Sequence, residues 1–483
     1  MIPKGVATFL PEGTSRRRAI ERKILSIFSL WGYQEVITPI FEYLDVFSLG
    51  VGEELLNRAY KFVDRATGRI MVLRPDVTPQ IARIAATLLN GQPLPLRLCY
   101  SANVFRHEEE HAGREREIFQ IGGELIGASD AEADAEMIIL AIEILQKLGL
   151  KSFKIALGQM AFTRGVLRPF EPSPELFKKV LHSVGKKEAS PLEELLKQEK
   201  ISPKVRKQVL SLLNLFGGEE VFKRAATLSD HPSCRDGLKR LKEVYTILKR
   251  AGHQDHLLID LGEVRGFDYY TGTIFEVFTE GVGSELGGGG RYDHLLEKFG
   301  APSASTGFAF HIERVQWALE KVFNSPGDGA AARGDVEYSS VDFLILHPET
   351  AAQRAMALTH QLRNLGFRVI RKNGYEKGID SYLANARKQH IRKILVVGEG
   401  KDPDPIKIGP SAEDYGAQNK IGPSAEDYDL REVVEIDPGA QDHGAPLGGR
   451  NVNHGAPLRS IDVRTGLEKI EKHQDFLERL RPN

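Results

Sequence analysis

Two cysteines among 483 residues, Cys99 and Cys234, are too few for a disulfide framework or a tetrahedral zinc site, and they suit a reducing compartment. Net charge is equally scarce. The 65 basic and 66 acidic side chains leave a formal charge of −1, so the total announces no polyanion partner, although a local patch can sit inside a neutral sum. No run of about eighteen apolar residues is present, and the first residues carry no charged-then-apolar leader. A cytoplasmic chain with no membrane partner is expected. Its length exceeds what one hydrophobic core usually serves, so roughly two or three domains are expected.

What is present is first of all amphipathic pattern. Apolar residues at helical spacing, among them Ile20, Ile24, Ile27 and Phe28, predict a helix over Gly13 to Trp31, capped at Thr14 or Ser15. Tyr33 to Phe41 is β-branched and reads as a strand, with Pro39 at an edge or interface. Strands are expected at Ile70 to Leu73, Leu94 to Arg106 and Glu117 to Ile126, and helices over Thr78 to Leu89 and Ala131 to Leu148. A leucine-spaced stretch rich in Lys and Glu, about 170 to 254, reads as an inserted helical subdomain entered through EPSPE. Strands return at Leu257 to Asp260 and Thr273 to Phe278, a glycine-rich turn GGGGRYD follows, and Gly307 to Val322 passes from strand into helix. Hairpins mixed with helices indicate the α+β class, an antiparallel sheet flanked by helices, in a core spanning 1–325.

A linker composition at 326–340 leads into VDFLILHP, FRVIRK and KILVVG, which alternate with helices as a small α/β domain over 341–400 would. Beyond it the octapeptide IGPSAEDY occurs at 408–415 and 421–428, and HGAPL at 443–447 and 454–458. Duplicated Gly/Pro-rich segments rarely carry a packed core. The stretch 401–457 is expected to be disordered or extended, with a helix closing the chain within 401–483.

Three polar constellations stand out. LRPDVTPQIAR sets Asp76 and Thr78 between a strand and a helix, a position that suits either a helix cap or a ligand contact. In VFRHEEEHAGREREIFQIGGELIG, strand alternation puts Gln120, Gly122 and Glu124 on one face, near Arg106. Such a set suits an amino acid's carboxylate, ammonium and polar side chain, or a solvated sheet face. The third, DLGEVRGFDYYTG with the later GGGGRYD, groups Arg265, Asp268, Tyr269, Tyr270, Arg291, Tyr292 and Asp293, which are costly to bury without partners. Arg314, early on a helix after a strand, reads alone as a surface ion-pairing residue.

Order and content together resemble a class II aminoacyl-tRNA synthetase core of the histidyl type over about 5–322, with Pro39, Arg106 and Arg314 in the places of the motif 1 proline and the motif 2 and motif 3 arginines. RGFDYY and GGRYD are similar to the two histidine signature segments of that group. Two families share the outline, histidine-tRNA ligase and the regulatory subunit of ATP phosphoribosyltransferase. LRPDVTPQIAR, DLGEVRGFDYYTG and QIGGELIG resemble the regulatory form, and Glu109, Glu110 and His111 stand where ligases typically carry Arg-Pro-Gln. An anion in place of a cation beside a triphosphate costs about 4 kcal/mol per pair at 4 Å with an effective dielectric near 20. The stretch from Val341 to Gly398 resembles the start of an anticodon-binding domain, the feature that speaks for the ligase.

The resemblance implies a subunit without transferase activity of its own, with no catalytic residue, cofactor or metal. It implies a short-form ATP phosphoribosyltransferase catalytic subunit as partner, histidine as feedback effector, and a core homodimer within a hetero-oligomer; tRNA is not an expected partner. By motif, Asp76, Thr78 and Gln120 would hold the α-ammonium of histidine, Glu124 and Tyr270 its imidazole, and Arg106 and Arg265 its carboxylate, with Tyr269 and Tyr292 completing the site. Glu108, Arg114 and Arg314 are the residues that would retain contact with a nucleotide. In the alternative, histidine-tRNA ligase, Arg106 and Arg314 would hold ATP phosphates and Arg265 would assist adenylate formation.

Overall fold

The computed structural model describes residues 2–107, 115–264, 269–323, 341–373, 382, 385, 386, 391, 393–397, 430–435, 458–462 and 468–471. The chain divides into two compact units, Met1–Glu337 and Tyr338–Asn483. In the first unit the strands are β1 (Gln34–Glu35), β2 (Phe41–Tyr43), β3 (Lys61–Val63), β4 (Ile70–Leu73), β5 (Leu96–Phe105), β6 (Glu117–Ile126), β7 (Lys154–Gln159), β8 (Phe216–Gly217), β9 (Leu257–Asp260), β10 (Thr273–Phe278), β11 (Gly287–Arg291) and β12 (Ser305–His311). Nine of them form one sheet in the order β1-β5-β6-β12-β11-β10-β7-β9-β8, and β2-β4-β3 form a small second one. The run from β5 to β7 is antiparallel. Parallel pairs, β1 with β5 and β7 with β9, lie on either side of it, so the sheet is mixed.

Helices cover one face. Ile20, Ile24, Ile27 and Phe28 of the helix Pro11–Leu30 fall at helical spacing and are all buried. That helix begins before the expected Thr14 or Ser15 cap. Proline at its first position has its φ already set and lacks the N–H a cap would satisfy, and Thr14 instead donates to the Phe9 carbonyl. At its other end Gly32 takes φ +80°, while Tyr33 N bonds Phe28 O and Gly32 N bonds Ser29 O, which closes the helix in a Schellman turn. Gly123 of β6 lets this helix approach, since a Cβ there would lie 2.4 Å from the Phe28 ring. The helix Ala131–Lys147 starts on Asp130, whose carboxylate accepts from Ala133 N at 2.8 Å. The helices Pro174–Gly185, Ala189–Gln198, Pro203–Leu212, Glu220–Ala226 and Pro232–Arg250 lie between β7 and β9, and their buried residues join the same core.

Two further segments of the first unit depart from the sequence expectation. Tyr33 to Phe41 is not one strand: Gln34–Glu35 joins the large sheet and Phe41–Tyr43 the small one. Pro39 sits between them with its carbonyl taking Gln80 Nε2 at 2.8 Å, and buried Arg74 holds Thr38 O at 2.9 Å. The GGGGRYD segment is not a turn either, because Gly287–Arg291 is a buried strand between β10 and β12. Close strand approach requires the glycines: a Cβ on Gly289 would stand 1.9 Å from Gly307 O, and one on Gly290 2.6 Å from Thr273 O.

In the second unit β13 (Phe343–His347), β14 (Val369–Asn373), β15 (Lys393–Val397), β16 (Leu430–Glu435), β17 (Leu458–Asp462) and β18 (Glu468–Glu471) form a sheet ordered β14-β13-β15-β16-β17-β18. β13 pairs in parallel with β14 and β15, and β16 pairs antiparallel with β15. The sheet therefore continues past residue 400 into the stretch expected to be disordered or extended, where Val433 and Val434 supply β-branched strand formers. The linker 326–340, both octapeptide copies, the HGAPL copies apart from Leu458, and the expected terminal helix beyond 471 lie outside the described residues. No helix among the described residues is long and apolar enough to cross a membrane.

Arg291 ties the sheet to its covering helix. Its Nε donates to Asp134 Oδ1 at 2.8 Å, and its Nη1 to Ala128 O and Asp293 Oδ1, each at 3.0 Å. Both partners of the Arg291–Asp134 pair are buried. Removing one strands the other charge without water, so Arg291→Met lowers unfolding stability by about 3–5 kcal/mol in urea titrations. The Arg291→Met/Asp134→Asn double variant loses less than the two single variants together; full additivity contradicts a coupled pair.

Candidate functional site

The face of the large sheet opposite the helices is nearly bare of side chains at its centre, and strand register shows why. One row across the sheet reads Leu98, Glu124, Gly307, Gly290, Ile274. The next reads Tyr100, Gly122, Ala309, Gly288, Glu276, and a third starts Ala102, Gln120, His311. Directly paired residues share a face, so glycines and an alanine form a floor between Glu124 and Ile274. The floor has no room to spare: a Cβ on Gly307 would lie 1.6 Å from Glu124 Oε2, and one on Gly122 2.6 Å from the Tyr100 hydroxyl.

Over this floor a buried polar cluster converges. Thr78 Oγ1 donates to Glu124 Oε1 at 2.7 Å, the Tyr292 hydroxyl to Glu124 Oε2 at 2.5 Å, and the Tyr100 hydroxyl lies 3.5 Å from Glu124 Oε1. Asp76 leads into the helix Thr78–Thr87; its Oδ1 takes Val77 N at 2.9 Å and its Oδ2 takes the Tyr269 hydroxyl at 2.8 Å. Tyr269 packs on Tyr270 with ring centroids 4.8 Å apart and edge-on against Tyr292 at 5.8 Å. Arg106 follows the last residue of β5, its Nε held by Pro75 O at 2.8 Å. Gln120 is buried, its Nε2 3.2 Å from His311 Nε2.

Burial dominates the electrostatics. Glu124 is pushed up to about 8, because loss of water outweighs the hydroxyls of Tyr292 and Thr78 that favour its charged form. Asp76 is also raised by burial, with Arg106 and then Tyr269 opposing. Tyr100, Tyr269 and Tyr292 are raised by burial and by the neighbouring carboxylates, and stay neutral donors. The site thus offers a carboxyl that is largely protonated near neutrality, beside a second carboxyl, an arginine and an amide. Such a set can receive a small molecule carrying a basic ring and an amino acid's two charged groups.

Of the residues singled out in the sequence, Asp76, Thr78, Glu124, Tyr269 and Tyr292 meet through direct hydrogen bonds, and Gln120 lies on the same strand face as Glu124. Thr78 is engaged with Glu124 as donor, which leaves its oxygen with acceptor capacity. Arg314 is held at Glu285, by Oε1 at 2.7 Å and by the carbonyl at 2.9 Å. Arg265, Glu108 and Arg114 lie outside the described residues. Sequence reasoning passed over Tyr100, His311 and Glu276, which reach this face only as cross-strand members of the rows through Gln120 and Gly122.

The raised Glu124 carboxyl binds a proton more tightly folded than unfolded. Its contribution to stability is complete below about pH 4.5 and is lost as pH rises through about 8. Urea midpoints of the wild-type chain therefore fall relative to Glu124→Gln between about pH 5 and pH 8.5. A constant difference across that range contradicts a protonated, buried Glu124.

Residues 5–315 match the family model described as Histidyl-tRNA synthetase. A relative from Geobacter metallireducens, named ATP phosphoribosyltransferase regulatory subunit, is 41% identical over 398 residues, covering 82% of this chain and 89% of the relative. A relative of the same name from Thermoanaerobacter pseudethanolicus is 40% identical over 376 residues, 78% of this chain and 95% of the relative. The crystal structure of an ATP phosphoribosyltransferase regulatory subunit/histidyl-tRNA synthetase from Bacillus halodurans superposes with a TM-score of 0.71 at 27% identity, covering 82% of this chain and 98% of that one. With a relative of that name 41% identical over four-fifths of the chain, and a synthetase-type model matched over residues 5–315, the chain belongs to the ATP phosphoribosyltransferase regulatory subunit family, on the histidyl-tRNA synthetase fold.

Proposed function

We propose that this chain is a non-transferring regulatory subunit that works in the cytoplasm with a short-form ATP phosphoribosyltransferase catalytic subunit and binds histidine as feedback inhibitor. The observation that carries the reading is the buried Glu124 carboxyl, ringed by the Thr78, Tyr100 and Tyr292 hydroxyls over a floor of glycine. A neutral imidazole entering near pH 7 meets a carboxyl that still holds its proton, and the two share it as a charge-assisted hydrogen bond without exchanging a proton with solvent. Tyr270 lines the ring, Asp76, Thr78 and Gln120 accept from the α-ammonium, and Arg106 with Arg265 meets the carboxylate. A site that pairs each polar group of its ligand rejects analogues lacking one by roughly 10⁴.

Inhibition is then a coupling free energy of typically about 1–3 kcal/mol: histidine binds the less active assembly more tightly than the active one. A homodimer of the first unit is supported by exposed apolar residues on and beside the small sheet: Ile37, Ile40, Phe41, Phe62, Val63 and Ile70. Arg314, held by Glu285, makes a weaker case for the ligase alternative, in which it would bind phosphate.

Calorimetry of the purified chain checks the pocket. Glu124→Gln weakens histidine binding roughly tenfold to a hundredfold, the scale of a hydrogen bond to a charged group. Wild-type affinity falls as pH rises past about 8, where the empty carboxyl loses its proton, and the variant lacks that fall. Mixing the chain with a short catalytic subunit, ATP and phosphoribosyl pyrophosphate gives transfer that histidine inhibits. Transfer indifferent to this chain, or charging of tRNA with histidine by the chain alone, contradicts the proposal.

A further inference from the structure

We infer that His311 is a positioning residue that fixes which end of the Gln120 amide faces the pocket, and so makes the site selective for ligands carrying an ammonium group. The two residues are register partners across β6 and β12, both buried, with Gln120 Nε2 3.2 Å from His311 Nε2. A hydrogen bond between two nitrogens requires that one bring a lone pair. An amide nitrogen has none to give, so the ring Nε2 accepts and the amide N–H donates. Committing the NH₂ end to His311 turns the oxygen end away from it. Gln120 Oε1 is buried and has no partner among the described residues, in a side chain only 4% exposed. It lies on the strand face that carries Glu124, two register rows away.

An unpartnered buried acceptor selects an N–H donor. With the amide reversed, two N–H groups would face the ligand and repel an ammonium, while a ligand without one would be indifferent. The choice between these states lies with the atom at the ring's Nε2, not with Gln120 itself. The inference deepens the histidine reading and rests on it.

The test is calorimetry on the full chain with two ligands, L-histidine and 3-(imidazol-4-yl)propionate, which keeps the ring and the carboxylate and lacks the amino group. His311→Phe fills the space without an acceptor. It is expected to weaken histidine about tenfold and the propionate less than about twofold. His311→Gln sets an amide oxygen near the position of Nε2 and is expected to restore histidine to within about threefold of wild type. Equal weakening of both ligands, unchanged histidine binding in His311→Phe, or a His311→Gln variant no better than His311→Phe overturns the inference. Should His311→Phe not fold, His311→Asn takes its place: its amide is too short to reach Gln120, and the same histidine-specific loss is expected. A wild-type chain that binds no histidine overturns the functional reading together with this inference, whereas normal histidine binding with ligand-blind variants overturns the inference alone.

Discussion

A carboxyl group buried in a protein must either find compensation or give up its charge, and Glu124 sits at that boundary. Thr78 and Tyr292 supply hydroxyls from a helix start and from the segment after β11, and Tyr100 adds another from the neighbouring strand. Their hydrogen bonds do not fully replace water, and the acid is held near 8. The rest of the first unit can be read as what is needed to keep that group dry and addressable. Glycine at 122, 290 and 307 removes the side chains that would fill the space beside it, and Tyr100, Tyr269, Tyr270 and Tyr292 supply apolar walls with a polar tip.

The same sheet serves two purposes on its two faces. On one, Phe28, Ile121, Leu125 and the long helices form a dense apolar core. On the other, a smaller cluster around Val77, Ile81, Leu98 and Tyr292 surrounds the polar site. Gly123 belongs to the first arrangement and Gly122 to the second, one residue apart, because alternate strand residues answer to opposite faces. Arg291 and Asp134 join the sheet to its helix. A scaffold fixed this firmly holds the site's hydroxyls in place, which would lower the ordering cost of binding the proposed ligand.

Much of this was legible in the residues. Glu117–Ile126, Ile70–Leu73, Leu257–Asp260 and Thr273–Phe278 fall where alternation and β-branching put them. The grouping of Asp76, Thr78, Glu124, Tyr269 and Tyr292 followed from motif order. What alternation along one strand could not supply was the identity of partners across strands. Tyr100 and His311 carry no local signal of their own, and only the register of β5 and β12 against β6 brings them to the site. Glycine misled for a related reason. Four in a row suggest a turn by propensity, but inter-strand crowding is a tertiary demand that local preference does not express. Arg291 stands beside Tyr292 in the sequence, but the partner that makes its burial tolerable is Asp134 on the covering helix, which nothing local to GGGGRYD indicates. Duplicated Gly/Pro-rich segments likewise concealed the strand Leu430–Glu435 that follows them.

On the proposed reading the chain is a gauge of a metabolite that must hold its ligand without transforming it, and a carboxyl sharing a proton with an imidazole would do that. The most direct measurement is infrared difference spectroscopy of the chain near pH 7, with Glu124→Gln as reference. A protonated-carboxyl band should be present in the empty wild-type protein, absent from the variant, and replaced by a carboxylate band when histidine is added. A Glu124 already ionised in the empty protein, or a protonated band that histidine leaves unchanged, would contradict the account.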